Sequence, residues 1–274
     1  MGFPGQRSNN RTSPNWGASR QYKISPVFLG IVAVTATGGV ALWTGYGSAK
    51  IATFLFVLGG YFAVLCLHEF GHAYSAHRAG DRDVAARGYL DLNPLRYMNP
   101  LLSIILPIFY LAIGGLPLPG GAVLVNRAAA RSKWQASLIS AAGPLMNMLF
   151  GGLAMLAIAI AVPTDAAWDN SPHQPFWAAL SFFAWIQVAV TVLNLIPVPG
   201  LDGYGIIEPY LRYETRRGLE PIRPYGILLV LLLLIAIPPV RDAFSNAIYS
   251  IMSFFGQPDG VAGVGGDLFR FWQS

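Results

Sequence analysis

Ile51-Ala-Thr-Phe-Leu-Phe-Val-Leu-Gly-Gly-Tyr-Phe-Ala-Val-Leu-Cys-Leu67 runs without a charge into His68-Glu69-Phe70-Gly71-His72. At 1.5 Å per residue this approach spans roughly 25 Å of a hydrocarbon core about 30 Å thick. The HExxH spacing puts two imidazoles one helical turn apart on one face with a carboxylate between them, an arrangement suited to Zn²⁺ and a water. Ionisable groups in so apolar a segment are costly, and their presence points to function. The stretch reads as a metal site inside a membrane, with the ion nearer the cytosolic face.

The rest of the composition agrees. The chain is 54% hydrophobic and 11% charged, outside the range of soluble globular domains. Its single cysteine, Cys66, excludes an intrachain disulfide and Cys-based zinc or iron–sulfur sites, and reads as a packing thiol. The net charge of +5 comes from basic residues beside apolar stretches, which fits loop bias and lipid headgroups rather than nucleic acid. Arg7, Arg11, Arg20 and Lys23 all precede the first acidic residue, Glu69. Residues 1–25, polar and rich in Asn, Ser, Gly and Pro, read as a disordered basic cytosolic tail with no signal-peptide cleavage pattern.

Apolar stretches near 27–47, 51–77, 100–117, 135–162, 177–199 and 226–240, with a weaker one at 243–255, predict an all-α polytopic membrane protein of about six transmembrane helices. The membrane-embedded core is expected over 26–256, its catalytic part over about 51–210, and 257–274 as a C-terminal tail. Whether 243–255 crosses the membrane or lies on it is left open. Arg78, Arg82, Arg87 and Arg96 assign the loop after 51–77 to the cytosol, and Arg127, Arg131 and Lys133 assign the next loop to the same side. Segment 100–126 therefore enters and leaves on one side. Its prolines and glycines favour a helix followed by a re-entrant, β-hairpin-like loop, Gly120 to Asn126, near the active site, over an ordinary kinked span. Such an extended edge suits the holding of an unwound substrate.

A third metal ligand must come from elsewhere. His77 lies nine residues after His68, about 180° around the helix. Ser75 occupies the glycine position of the extended HExxHxxGxxH pattern, which that class requires. Asp202 is the better choice: it follows an apolar helix, on the inner side, among prolines and glycines that let backbone approach closely. A His₂Asp set leaves zinc one open position, and Glu69, off the metal, serves as the acid/base.

HEFGH in a membrane helix, Ala142-Gly143-Pro144-Leu145-Met146-Asn147 opening a later span, and Asn194-Leu195-Ile196-Pro197-Val198-Pro199-Gly200-Leu201-Asp202-Gly203 together resemble the site-2 protease family of intramembrane zinc metallopeptidases. Leu92-Asn93-Pro94-Leu95-Arg96-Tyr97-Met98-Asn99-Pro100 resembles its compact prokaryotic branch, without PDZ or CBS domains, and the similarity covers roughly 51–210. The resemblance implies one Zn²⁺ held by His68, His72 and Asp202, Glu69 as catalytic acid/base, and Asn194 in contact with substrate backbone or the developing oxyanion. For Asn147 it leaves a substrate-side role, a structural one or a plain helix–helix hydrogen bond. It also implies a multi-pass protein of a prokaryotic cell membrane, a transmembrane protein as substrate, and release of a cytosolic or membrane-proximal fragment. The pattern departs from that branch at Tyr97 and Asn99, where His and Asp are frequent, and at Gly200, where proline is more usual. The sequence leaves oligomeric state, substrate identity and activating signal open.

Other chemistries find less support. There is no Gly-x-Ser-Gly for a serine-type intramembrane protease, and Gly265-Gly266-Asp267 misses the aspartyl-type pattern. A metal transporter or metal-binding membrane protein using the same His/Asp cluster is the main rival; it has no need of Glu69 and would string polar groups along a path. An inactive scaffold would not keep a complete ligand set with Glu69.

Overall fold

The structure, a computed structural model, describes residues 24–96, 125–126 and 129–273. Residues 1–23 of the expected tail, Tyr97, Asn99 and all of the expected re-entrant segment except Val125 and Asn126 lie outside them. Among the described residues every regular element is helical, and five segments are long and apolar enough to cross a membrane. Four of these coincide with apolar stretches read from the sequence; the fifth, Tyr213–Ala236, overlaps the expected 226–240 only over 226–236.

Helix α1 (Pro26–Thr44) starts on the Ser25 side chain, with Pro26 in the first turn where its missing N–H is no loss, and ends at Gly45 in the left-handed region. A short turn sends the chain back into α2 (Ala49–Ala79), capped by Ser48 and stopped by Gly80 at φ 124°. At 31 residues α2 is about 46 Å long, well beyond one hydrocarbon thickness. The two helices pack through small residues. A Cβ on Gly38 would stand 2.7 Å from the Phe56 amide nitrogen, and one on Gly59 would stand 2.5 Å from the Thr35 hydroxyl.

Helix α3 (Lys133–Ala161) begins at Ser132 and contains Pro144, which removes a ladder bond and disturbs the helix around the preceding turn. Helix α4 (Gln174–Leu195) is the most buried of the spans and α1 the least. α4 packs against α3 and α2, forming the centre of the bundle. After α4 the chain turns through Pro197–Leu201 into the short α5 (Asp202–Ile207), which packs on α3; the Ser137 hydroxyl donates to the Ile206 carbonyl at 2.6 Å.

One end of the bundle gathers several chain segments. Ser25 N donates to the Asp91 carbonyl, and the Asp81 carboxylate accepts from Asn126 N at 2.7 Å and from Asp83 N. Asn126 therefore lies beside Asp81, just past the C-terminal end of α2, while Arg96, ion-paired with Asp91 at 3.1 Å, belongs to the segment tied to the start of α1.

Two further helices follow a spanning segment, Tyr213–Ala236, that ends in α6 (Gly226–Ala236). Helix α7 (Pro238–Phe254) buries Phe244, Ile248 and Met252, a spacing of one residue per turn, and leaves Arg241 and Asp242 exposed. Residues 257–274, expected as a tail, instead contain α8 (Val261–Phe269), packed on α4 and α2 with Phe269 buried between Phe54 and Phe182. The reason is close approach: a Cβ on Gly265 would collide with the Ala178 carbonyl, so the glycine-rich face lies flat on α4. A short, glycine-rich stretch carries little hydropathy signal, which is why its sequence alone does not announce a packed helix.

The Gly38 contact is testable. Gly38→Leu is expected to lower stability by about 1–3 kcal/mol through overpacking against α2, read as a lower thermal unfolding midpoint in detergent; an unchanged midpoint would show that α1 does not sit this close.

Candidate metal centre between α2, α3 and α5

Helix α2 projects His68 and His72 from successive turns, their ring centroids 4.8 Å apart and their planes at 80°. Both are buried, as is Glu69 between them. Facing them, α3 offers Ile139, Gly143 and Asn147, also one turn apart and therefore on one face. The two helices run in opposite directions, so the residues pair in register. The His72 Nδ1–H donates to the Ile139 carbonyl at 2.7 Å, and the His68 Nδ1–H donates to Asn147 Oδ1 at 2.6 Å. Gly143 lies between these two bonds, and a Cβ there would collide with Nε2 of both imidazoles.

Asp202, the first residue of α5, closes the group. Its Oδ2 is 3.4 Å from His68 Nε2 and its Oδ1 is 3.3 Å from His72 Nε2, while the two Nε2 atoms are 3.1 Å apart. Among the described residues this is the one group of three His, Cys, Asp or Glu side chains able to hold a metal ion.

The donor chemistry can be tested for its fit to zinc. With each Nδ1 proton given to an acceptor, each neutral ring presents a lone pair at Nε2. Three lone-pair donors thus converge in a buried space, an arrangement that a cation makes favourable. The Nε2–Nε2 distance of 3.1 Å is close to the roughly 3.3 Å edge of a tetrahedron whose ligands lie about 2.0–2.1 Å from zinc; Asp202 turns one oxygen toward each imidazole, and one ligand atom from each residue lies within 4.8 Å of the other two. The absent Cβ of Gly143 leaves the space beside both Nε2 atoms clear. The residues fit the ion.

The turn that delivers Asp202 is braced from outside the site. Gly200 has φ 100° and lies against the Arg223 carbonyl; a Cβ on Gly226 would collide with the Pro199 carbonyl, and one on Gly203 with the Leu195 carbonyl. Proline, locked near φ −65°, cannot take the conformation of Gly200. The turn built here therefore excludes proline at 200, and the segment ahead of α6 buttresses it.

The other sequence candidates separate. Asn194 is buried on the last turn of α4, and its Nδ2 has no hydrogen-bond partner among the described residues. Asn147 has both ends of its amide engaged by protein groups: Oδ1 by His68, and Nδ2 by Gln187 Oε1 at 2.8 Å. His77 stands at the end of α2, its Nδ1 3.3 Å from the Asp81 carbonyl, away from the metal group. Motif and spacing do not single out Gln187, the Ile139 carbonyl or the space at Gly143. A glutamine in the middle of an apolar span is a usable signal; the other two depend on how α2 and α3 meet.

Comparison with known proteins leads to the same chemistry. Residues 155–237, which include Asn194 and Asp202, match peptidase family M50. The chain is 42% identical over 254 residues to a protein named zinc metalloprotease Rip2 from Mycolicibacterium smegmatis, covering 91% of this chain and 95% of the relative. It is 41% identical over 260 residues to the protein of that name from Mycobacterium tuberculosis, covering 93% and 97%. Against zinc metalloprotease YwhC from Bacillus subtilis the identity is 30% over 206 residues, or 70% and 88%. No solved structure matches. With relatives this similar over nearly their whole length, and two imidazoles and a carboxylate converging among membrane-length helices, the chain belongs to peptidase family M50, the site-2 protease family of zinc metalloproteases.

Proposed function

We propose that this intramembrane zinc metalloprotease hydrolyses peptide bonds in or near the transmembrane segments of membrane-anchored proteins. The observation that carries the reading is the buried triangle of His68 Nε2, His72 Nε2 and the Asp202 carboxylate, lodged among helices long enough to span a bilayer.

His68, His72 and Asp202 would hold the Zn²⁺. When bound there, the ion supplies Lewis acidity, which lowers the pKa of water and polarises a scissile carbonyl. Glu69, next to His68 and buried, takes the proton of the attacking water and returns it to the departing amine. Asn194 aligns with Gln187 on one face of α4; its buried, unpartnered Nδ2 suits a substrate carbonyl or the oxyanion that develops from it. Asn147 acts by positioning His68 rather than by touching substrate. A substrate helix hides its carbonyls in its own hydrogen bonds and must unwind locally before attack. The re-entrant reading of the 100–126 segment supplies an edge for the freed groups; it is supported by Asn126 bonding beside the α2 C-terminus and Arg96 pairing with Asp91 beside the α1 N-terminus.

Charge supports the orientation. The end of the bundle holding the α2 C-terminus, the α3 N-terminus and the segment after α4 carries Arg78, Arg82, Arg87, Arg96, Arg131, Lys133, Arg212, Arg216, Arg217 and Arg223. The turns at the other end carry Lys50, Asp165, Asp169, Arg241 and Asp242, with no net positive charge. The positive-inside bias then places the N-terminus and the metal-proximal end in the cytosol.

Glu69→Gln is expected to keep stoichiometric zinc and lose cleavage of a transmembrane reporter by about 10²-fold or more; retained cleavage would remove Glu69 from the reaction and favour a metal carrier. Gly143→Ala is expected to lose zinc while keeping its helical content, measured by metal analysis and circular dichroism of the purified protein. Chelation of the parent should abolish cleavage reversibly, with zinc restoring it; activity that survives complete chelation would refute the metal mechanism.

A further inference from the structure

We propose that Gln187 is a positioning residue that fixes the tautomer of His68 through Asn147; the inference rests on the zinc reading of the site. Gln187 sits in the middle of α4 with no solvent exposure, where a carboxamide is expensive unless both its ends are used. One end is used: Oε1 accepts from Asn147 Nδ2 at 2.8 Å. The other, Nε2, has no partner among the described residues. Room for the group comes from Gly151, where a Cβ would stand 3.0 Å from that of Gln187. A buried amide kept at the expense of an unsatisfied donor suggests that the satisfied end matters.

The reason lies in the symmetry of the Asn147 carboxamide. Turned one way, its Oδ1 accepts the Nδ1 proton of His68 and leaves the Nε2 lone pair for the metal, as observed. Turned by 180°, its NH₂ would donate to His68 Nδ1, moving the ring proton to Nε2, where it blocks coordination. In the arrangement present here Gln187 turns Oε1 toward Asn147, and that acceptor favours the orientation in which Nδ2 points toward α4 and Oδ1 toward His68. His72 requires no such relay, because its partner, the Ile139 carbonyl, is backbone and cannot turn over.

The test is zinc affinity, by chelator competition on the detergent-purified full chain. Gln187→Met keeps length and bulk but removes the acceptor; it is expected to weaken zinc binding about 10–100-fold. Gln187→Glu keeps an oxygen toward Asn147 and is expected to stay within about three-fold of the parent, again by zinc competition. In an Asn147→Asp background, where both side-chain oxygens accept and the amide cannot flip, adding Gln187→Met is expected to cost less than about three-fold. Equal losses in both backgrounds, or no loss in the parent, would overturn the relay, since a mere packing role does not depend on what stands at 147. If Gln187→Met does not fold, the Glu variant decides: a loss above about ten-fold refutes the proposal. A parent that takes up no zinc, with Asp202→Asn unchanged from it, would sink the metal reading itself.

Discussion

Two imidazole nitrogens 3.1 Å apart, with a carboxylate that brings one oxygen within 3.4 Å of each, converge in a buried space and constrain everything around them. In water such a cluster would hydrate and splay apart. Between membrane-length helices it cannot, and its convergence is tolerable only when a cation sits among the donors and their outward-facing atoms are satisfied. The second condition shapes α3: a carbonyl at Ile139 for one imidazole, an amide oxygen at Asn147 for the other, and no side chain at Gly143 between them.

That arrangement is economical because both helices use the same period. His68 and His72 are separated by one turn of α2; Ile139, Gly143 and Asn147 by successive turns of α3. Antiparallel packing brings the two repeats into register, so a single helix–helix contact orients both ligands. The same face of α3 continues to Gly151, where α4 comes close enough for Gln187 to reach Asn147. α4 thereby reaches the metal group twice, once through that amide and once by leading, through the braced turn at Pro199–Gly203, to Asp202. The site is consequently tied to the most buried helix of the bundle, while α1, packed closely on α2 but otherwise exposed, lies at the periphery.

Much of the candidate site is legible in the amino-acid sequence. HExxH is a local pattern, readable because one helix sets the geometry of its two imidazoles, and its uncharged approach declares the membrane setting. Asp202 is legible as a carboxylate following an apolar span, among residues that permit tight turns. The partner of Asn147 is not: an amide that bonds His68 and one that faces away from it are the same residue type at the same place in the chain, and the relative register of α2 and α3 brings it to His68. Gln187 offers a signal, a costly amide in an apolar helix, without saying what it faces. Residues 261–269 escape a reading by hydropathy because glycine and a few aromatics look like tail until another helix lies against them.

Neighbours along the chain thus govern the helices, their apolar lengths, the paired imidazoles with Glu69, and the turn that ends in Asp202. Which atoms meet across helices was settled by packing. It selected the Ile139 carbonyl and Asn147 amide as the partners that orient the imidazoles, and Gly143 as the space beside them. It also set the left-handed turn at Gly200 and the docking of α8. The physical reason is that period and hydropathy fix a helix's faces, whereas the axial register and approach distance of two helices depend on side chains from both, and on the small residues that let backbones come close.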